Sequence, residues 1–296
     1  MLFFAAGCAQ SIQPPAEPAS LVPDSARARA AECSSCAEWN APQAPLRLFS
    51  NTYFVGTHGL SALLITSSAG HVLIDGALPE SAPSIMASIR ALGFRVEDVK
   101  LIVNSHVHFD HAGGIAALAR ASGARVAASP WSAAALQRGT SGPDDPQYGV
   151  LLPFPAVAHV EPIADGETLH VGPVALTAHF TPGHTPGGTS WSWRSCDATG
   201  RCLEFVYADS QTPVSADGFS FTHNTTYPRA LDDFAHGQAV LESLPCDVLI
   251  TPHPSASDLW ERVAANSLVD PGACRRFVAS ARASVARRVA TESGAR

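Results

Sequence analysis

The segment His106-Val107-His108-Phe109-Asp110-His111 places four candidate metal ligands within six residues. In an extended segment side chains alternate, so His106 and His108 point the same way. Asp110 and His111 follow where the chain must turn, and they are free to aim elsewhere. The pattern predicts two adjacent metal sites, and adjacent metals are a device for hydrolysis.

Two later histidines stand in similar settings. His184 lies in Thr181-Pro182-Gly183-His184-Thr185-Pro186-Gly187-Gly188, and His253 in Thr251-Pro252-His253-Pro254. Each follows an apolar run and is bracketed by proline. Proline fixes φ and pushes the preceding residue out of the helical region. Such rigid loops at strand ends suit ligands that must hold a fixed geometry. The chain has twelve histidines. His71, His159, His170, His179, His223 and His236 read as strand-face or loop residues, whereas His58, in Gly56-Thr57-His58-Gly59, could also face the site.

Imidazoles with one carboxylate and no thiolate point to zinc. Three protein ligands per ion leave a position for water, which is then ionised near neutral pH. The division that uses all six residues sets His106, His108 and His184 around one ion. Asp110, His111 and His253 surround the other. The expectation is two Zn2+ per chain, with Asp110 also acting in catalysis by orienting the attacking oxygen.

These residues need elements to carry them. Thr52–Val55, Ala62–Thr66 and His71–Ile74 are apolar, β-branched runs separated by turns, an antiparallel meander from about Leu46 to Gly76. Ser81 to Leu92 has helical spacing, with Ile85, Ile89 and Leu92 on one face. Val99–Val103 is a short buried strand that runs into the histidine motif. Gly113-Gly114 opens a helix over Ile115–Ala121, followed by a strand at Arg125–Ala128 and a helix over Trp131–Gln137. Thr140 to Glu161 reads as a long surface loop of the kind that borders a site. A second set of strands covers Thr168–Val171, Val174–Phe180, Ser190–Trp193 and Leu203–Tyr207. A helix over Ala230–Leu244, a strand over Asp247–Thr251 and a closing helix over Pro271–Thr291 follow, the last with Asp270 as N-cap. Two β-rich halves with attached helices predict an α+β fold, a four-layer αββα sandwich with the sheets inside.

At 296 residues and 46% hydrophobic content the chain can bury a sizeable core. A formal charge of -7, with Lys100 the only lysine, leaves no basic stripe for nucleic acid. No apolar run is long enough for a transmembrane helix. The expected partner is a small molecule, and the chain is expected to be a monomer.

Residues 1–31 read as a signal remnant and flexible leader, and residues 32–296 as a single hydrolase domain. Met1-Leu2-Phe3-Phe4-Ala5-Ala6-Gly7-Cys8 looks like the end of a secretory signal. Ala6-Gly7-Cys8 also fits the end of a bacterial lipobox, which would make Cys8 a lipid anchor. The alternative is ordinary cleavage near Ala9. Seven cysteines bear on the same question. Cys196 and Cys202 flank a turn-like stretch, as a disulfide across a hairpin would. A bridge from Cys246 to Cys274 would staple the last helix to the final site strand, contributing about 3–4 kcal/mol. Cys33 and Cys36 can pair locally or leave one thiol free. Such pairs favour an oxidising compartment, here the periplasm.

The histidine motif, His184, His253 and the sandwich layout together resemble the metallo-β-lactamase superfamily from Leu46 to the C-terminus. Finer detail resembles its third subclass of β-lactamases, which binds both zincs without cysteine. His111 follows Asp110 as in that subclass. Tyr207-Ala208-Asp209-Ser210-Gln211-Thr212 is similar to the segment in which serine replaces a zinc-binding cysteine. Cys246 to Ser257 is similar to the last-ligand segment, including a cysteine that pairs with a later one, here Cys274. The resemblance implies opening of the β-lactam ring of penicillins, cephalosporins and carbapenems, and hence antibiotic resistance. It also implies that Ser210 and Thr212 bond the substrate carboxylate and that Gln147 lies in a loop over the substrate. One departure is His58, which stands where some relatives carry a cysteine bridged to an N-terminal partner such as Cys33. Cys33–Cys36 is then the substitute bridge.

Two rival readings have distinct signatures. A lactonase or glyoxalase-type thioesterase of this fold would use Asp209 to bridge both metals. Such thioesterases also carry a basic helical domain, for which this chain has neither the residues nor the length. A zinc-binding protein without turnover would fill each open position with a further ligand. The alternative for Asp209 is support of a ligand from behind.

Overall fold

The computed structural model describes Met1 and residues 33–294. The expected leader, including Cys8 and the proposed cleavage region, lies outside the described residues apart from Met1. The expected α+β sandwich is what the structure shows: two mixed sheets face each other, with helices on both outer faces.

The first sheet has seven strands in sequential order: β1 (Leu46–Phe49), β2 (Thr52–Phe54), β3 (Leu63–Ser67), β4 (Gly70–Ile74), β5 (Val99–Val103), β6 (Arg125–Ala128) and β7 (Glu161–Pro162). β1 to β4 form the antiparallel meander, and β4 to β7 run parallel. Parallel neighbours need crossovers, and helices supply them. The crossovers are α2 (Ala82–Ala91) between β4 and β5, α3 (Phe109–Ala112) with α4 (Ile115–Ser122) between β5 and β6, and α5 (Pro130–Arg138) after β6. The second sheet has the order β12-β11-β10-β9-β8, from β8 (Thr168–Val171), β9 (Val174–Phe180), β10 (Thr189–Cys196), β11 (Cys202–Tyr207) and β12 (Val248–Ile250). Only β11 and β12 pair in parallel there, joined through α6 (Ala230–Ser243). α7 (Leu259–Ala264) and α8 (Ala273–Glu292) close the chain, and α1 (Cys36–Trp39) opens it.

Because β3, β4 and β5 are buried on both faces over most of their length, they read as largely apolar runs, broken by His71 and the exposed Lys100. Phe54, Ile65, Ile74, Leu101 and Val103 meet Leu176, Trp191, Phe205, Tyr207 and Ile250 between the sheets. The outer face of the first sheet packs Leu64, Leu73, Ile102 and Val126 on Ile85, Ile89, Ile115, Leu118 and Leu136. On the other side Val206 and Leu249 meet Leu241 and Val278.

Several local expectations need correction. Leu46–Phe49 is a strand, paired to β2 at the sheet edge, and only its tertiary pairing reveals it. Cys36–Trp39 and Leu259–Ala264 are short helices too brief to show a period. The final helix starts at Ala273 with Gly272 as its N-cap, not Asp270. The Asp270 carboxylate instead accepts the Gly272 N–H at 3.0 Å, and its carbonyl accepts the Ala273 N–H. Asp270 thus closes the turn leading into the helix. The Thr140–Glu161 segment is a largely exposed loop that borders the site, as expected, but it is anchored at several points. Phe154, Val157 and Val160 join the helical core, and Glu161 pairs with β6.

All three expected disulfides form: Cys33–Cys36, Cys196–Cys202 and Cys246–Cys274. The last spans 28 residues and ties α8 to the start of β12. Cys274→Ala with Cys246→Ala is expected to lower unfolding stability by about 2–4 kcal/mol through the longer unconstrained loop. The urea midpoint of the double variant against the parent measures this.

Candidate metal centre

The site lies where strands end. β5, β9, β11 and β12 each hand their last residue to a segment that carries site residues. β5 stops at Val103, as the sequence predicts, and residues 104–108 form an irregular loop that carries His106 and His108. Asp110 and His111 then fall in the single turn of α3.

That loop is held by a buried carboxylate below it. Asp75 follows β4 with φ 62°, a left-handed conformation that aspartate tolerates. Its Oδ1 accepts the Ser105 N–H at 2.7 Å, and its Oδ2 accepts the Ser105 hydroxyl at 2.7 Å and the Tyr207 hydroxyl at 2.8 Å. Burial pushes the Asp75 carboxyl up to about 7. The Gly76 N–H donates to the His111 carbonyl at 2.8 Å, so the β4 loop also fixes α3. The close approach explains the Gly-Gly after the motif: a Cβ on Gly114 would stand 2.2 Å from the Gly76 carbonyl oxygen.

The six expected ligands assemble into the two expected groups. Donor atoms of His106, His108 and His184 lie within 4.8 Å of one another, and so do those of Asp110, His111 and His253. The groups adjoin, with the His106 and His111 ring centroids 4.5 Å apart. Asp110 Oδ2 sits 3.2 Å from His111 Nε2 and 3.3 Å from His253 Nε2. The donor set fits metal ions. His106 Nε2 is buried without a protein partner, which is costly unless something binds there. Burial pushes the His106 imidazole well below its usual range, and burial takes His184 down to about 3. Burial also lowers His111. For Asp110 burial acts upward, but the His111 and His253 contacts prevail and hold its carboxyl well below the usual range. Neutral imidazoles beside an ionised carboxylate are the protonation states that metal ligation requires.

Four of the five imidazoles are also held from behind, while His111 Nδ1 is buried without a protein partner. His106 Nδ1 meets Asp209 Oδ1 at 2.7 Å, and His108 Nε2 meets Asp145 Oδ2 at 3.1 Å. His184 Nδ1 donates to the Thr212 carbonyl at 2.9 Å, and His253 Nδ1 to the Gly59 carbonyl at 3.3 Å. Such partners fix tautomer and ring orientation. Asp209 therefore takes the supporting role and belongs to neither ligand group. Its Oδ2 faces Gly188, where a Cβ would stand only 2.3 Å away.

A cleft of about 330 Å³ opens over both groups, and Gln147, Ser210 and Thr212 are among its lining residues. Trp39, Leu151 and Val214 form apolar lining that the sequence reading missed. Trp39 comes from the Cys33–Cys36 segment, and its ring packs 5.1 Å from His253. His58 stays outside, exposed and stacked on Trp260 at 5.3 Å. Asp145 was also missed as a support. Its other oxygen accepts the Gln147 N–H at 2.8 Å, so one carboxylate joins a candidate ligand to the loop over the cleft. Its only sequence signal is an aspartate two residues before Gln147, typical of an Asx turn.

The comparisons agree with this geometry. The sequence profile of the Metallo-beta-lactamase superfamily matches residues 55–198. The solved Rm3 metallo-β-lactamase is 58% identical with a TM-score of 0.87, covering 88% of this chain and 99% of that one. This chain belongs to the metallo-β-lactamase superfamily. Among its members the similarity runs to subclass B3. MEM-A1, a subclass B3 metallo-β-lactamase from a soil metagenome library, is 47% identical with a TM-score of 0.85, covering 87% of this chain and all of that one (100%). SMB-1, solved with 2-mercaptoethanesulfonate, is 42% identical with a TM-score of 0.82, covering 86% and 99%. Curated relatives match over shorter stretches. The uncharacterized protein YobT of Bacillus subtilis is 32% identical over 145 residues, 47% of this chain and 59% of that protein. A hydroxyacylglutathione hydrolase of Anaeromyxobacter dehalogenans is 31% identical over 140 residues, 47% of this chain and 44% of that protein. The chain thus spans about half the length of these two relatives.

Asp209→Asn and Asp145→Asn are each expected to weaken metal binding at the His106/His108/His184 group by about 10–100-fold with the fold intact. Competition against a chromophoric chelator, with circular dichroism as control, measures both.

Proposed function

We propose that this protein is an exported zinc β-lactamase that opens the β-lactam ring of penicillins, cephalosporins and carbapenems and so confers antibiotic resistance. The observation that carries the reading is the pair of three-residue donor groups, without a cysteine, beside Ser210 and Thr212. His106, His108 and His184 would hold one Zn2+, and Asp110, His111 and His253 the other. The ions would supply Lewis acidity and a water ionised near neutral pH.

The chain's own groups bind and orient. The Ser210 and Thr212 hydroxyls border the cleft where a substrate carboxylate can accept their hydrogen bonds. No lysine is available to do so, since Lys100 is the only one and bonds the Glu97 carbonyl. Asp110, ionised and 92% buried at its side chain, accepts protons in hydrogen bonds at the seam between the groups and so orients the attacking oxygen. Trp39, Leu151 and Val214 exclude water and offer apolar contact to the substrate body, with Gln147 in the loop above. The supporting position of Asp209 argues against a lactonase or thioesterase that uses this residue as a metal bridge. Residues 32–296 are read as one catalytic domain acting as a monomer. Three disulfides suit the periplasm.

The deciding measurement is hydrolysis of a penicillin, a cephalosporin and a carbapenem, with and without a chelator. Turnover lost on chelation and restored by zinc is expected, and zinc-dependent turnover of none of the three would overturn the reading. Ser210→Ala is expected to raise KM by about tenfold with kcat little changed, because it removes one hydrogen bond to a charged group. Steady-state kinetics on the same panel checks this.

A further inference from the structure

A second cavity, of about 550 Å³, lies between α8 and the turn Pro254–Ser257. It meets the cleft through one stretch of chain: Ser210 lines the cleft, Gln211 lines the second cavity, and Thr212 lines both. We propose that this cavity is a second ligand site, that it takes an organic monocarboxylate with an apolar body, and that its occupant acts on the metal centre through Gln211 and Thr212.

The size and the lining give the ligand class. The volume falls in the range of about 300–1,000 Å³ typical of small-molecule sites. One face of α8 contributes Arg276, Phe277, Ser280, Ser284 and Arg287, a helical spacing that sets two guanidinium groups and two hydroxyls around one ring. Arg262 stands in the opposite wall. Its terminal nitrogens bond the Leu249, Ser257 and Leu268 carbonyls, while its Nε has no partner. The negative groups nearby are Asp258, in the lining, and Asp270, paired with Arg276. Three guanidinium charges against these two carboxylates leave one positive charge, on a chain of net -7. Guanidinium is the side chain best suited to a carboxylate.

The coupling follows from two hydrogen bonds. The Thr212 carbonyl accepts the His184 Nδ1–H at 2.9 Å. Gln211 Nε2 donates to the Thr181 carbonyl at 3.0 Å, at the head of the loop that carries His184. Gln211 is only 1% exposed, and its Oε1 has no partner. An occupant that meets both Gln211 and Thr212 therefore touches both anchors of His184. By linkage, ligands at the two sites must then change each other's affinity.

The test uses the metal-loaded full chain, with 1-naphthylacetate as probe and uncharged 1-naphthylacetamide as control. Calorimetry is expected to show one acetate bound per chain, with the amide weaker by about tenfold. Arg287→Ala and the cavity-filling Ser284→Phe are each expected to weaken the acetate by about tenfold, with circular dichroism and basal β-lactam turnover unchanged. The His184 imidazole resonance should move on binding in the parent and stay in place in Ser284→Phe. Inhibition or activation of turnover should be non-competitive, with an effect of about threefold or more. Equal affinity in parent and both variants, or purely competitive inhibition that survives Ser284→Phe, overturns the proposal. If no β-lactam is turned over, the function proposed above fails, and calorimetry and the His184 resonance still decide this one.

Discussion

The metal centre rests on one buried carboxylate that makes no contact with it. Asp75 holds the loop after β5 by two bonds to Ser105 and reaches across the sandwich to Tyr207 on β11. The two sheets that supply candidate ligands are thereby locked at the edge where their strands end. Burial costs the carboxylate its usual acidity, and it stays because three donors converge on it. The tie is reinforced by the Thr189 N–H donating to the Ser105 carbonyl and by the contact of His106 with Asp209.

On this base the site is rigid by design of its far sides. Four of the imidazoles each spend one nitrogen on the protein: His106 on Asp209, His108 on Asp145, His184 on Thr212 and His253 on Gly59. Two of these partners are carboxylates, both behind the first metal group, and two are backbone carbonyls. The Gly59 carbonyl belongs to a turn that the N-terminal segment grips, through Trp39 carbonyl bonds to Gly59 N–H and the Thr57 hydroxyl. The Cys33–Cys36 segment thus serves the metal centre although it lies far from it in sequence.

What was legible in the sequence follows from physics that is local. β3, β4 and β5 were readable because double burial makes their runs apolar, and the six clustered or proline-framed donors were readable because their density is improbable without a metal. Leu46–Phe49 and Glu161–Pro162 were not, because edge strands carry half-exposed or exposed residues and are defined by a neighbour's hydrogen bonds. Asp75 and Asp145 were not, because an isolated aspartate looks alike whether it caps a turn in solvent or holds a distant histidine. Asp209 left two roles open until its 2.7 Å contact with His106 was seen. The Thr140–Glu161 loop was readable because Pro and Gly interrupt its period, but its Phe154 and Val157 anchors were not, because they are single residues.

Asp145 divides the loop over the cleft into two parts with different freedoms. Up to Gln147 the backbone is bonded to the same carboxylate that steadies His108, so insertions or deletions there would disturb the metal centre. Beyond it Tyr148 still bonds the Asp145 carbonyl, and Gly149 and Val150 are exposed before Leu151 and Leu152 pack against the core. New side chains can accumulate in that stretch, and old ones be lost, while the six donor residues keep their positions. The fold thus leaves one short span in which substrate range can evolve separately from the capacity for hydrolysis.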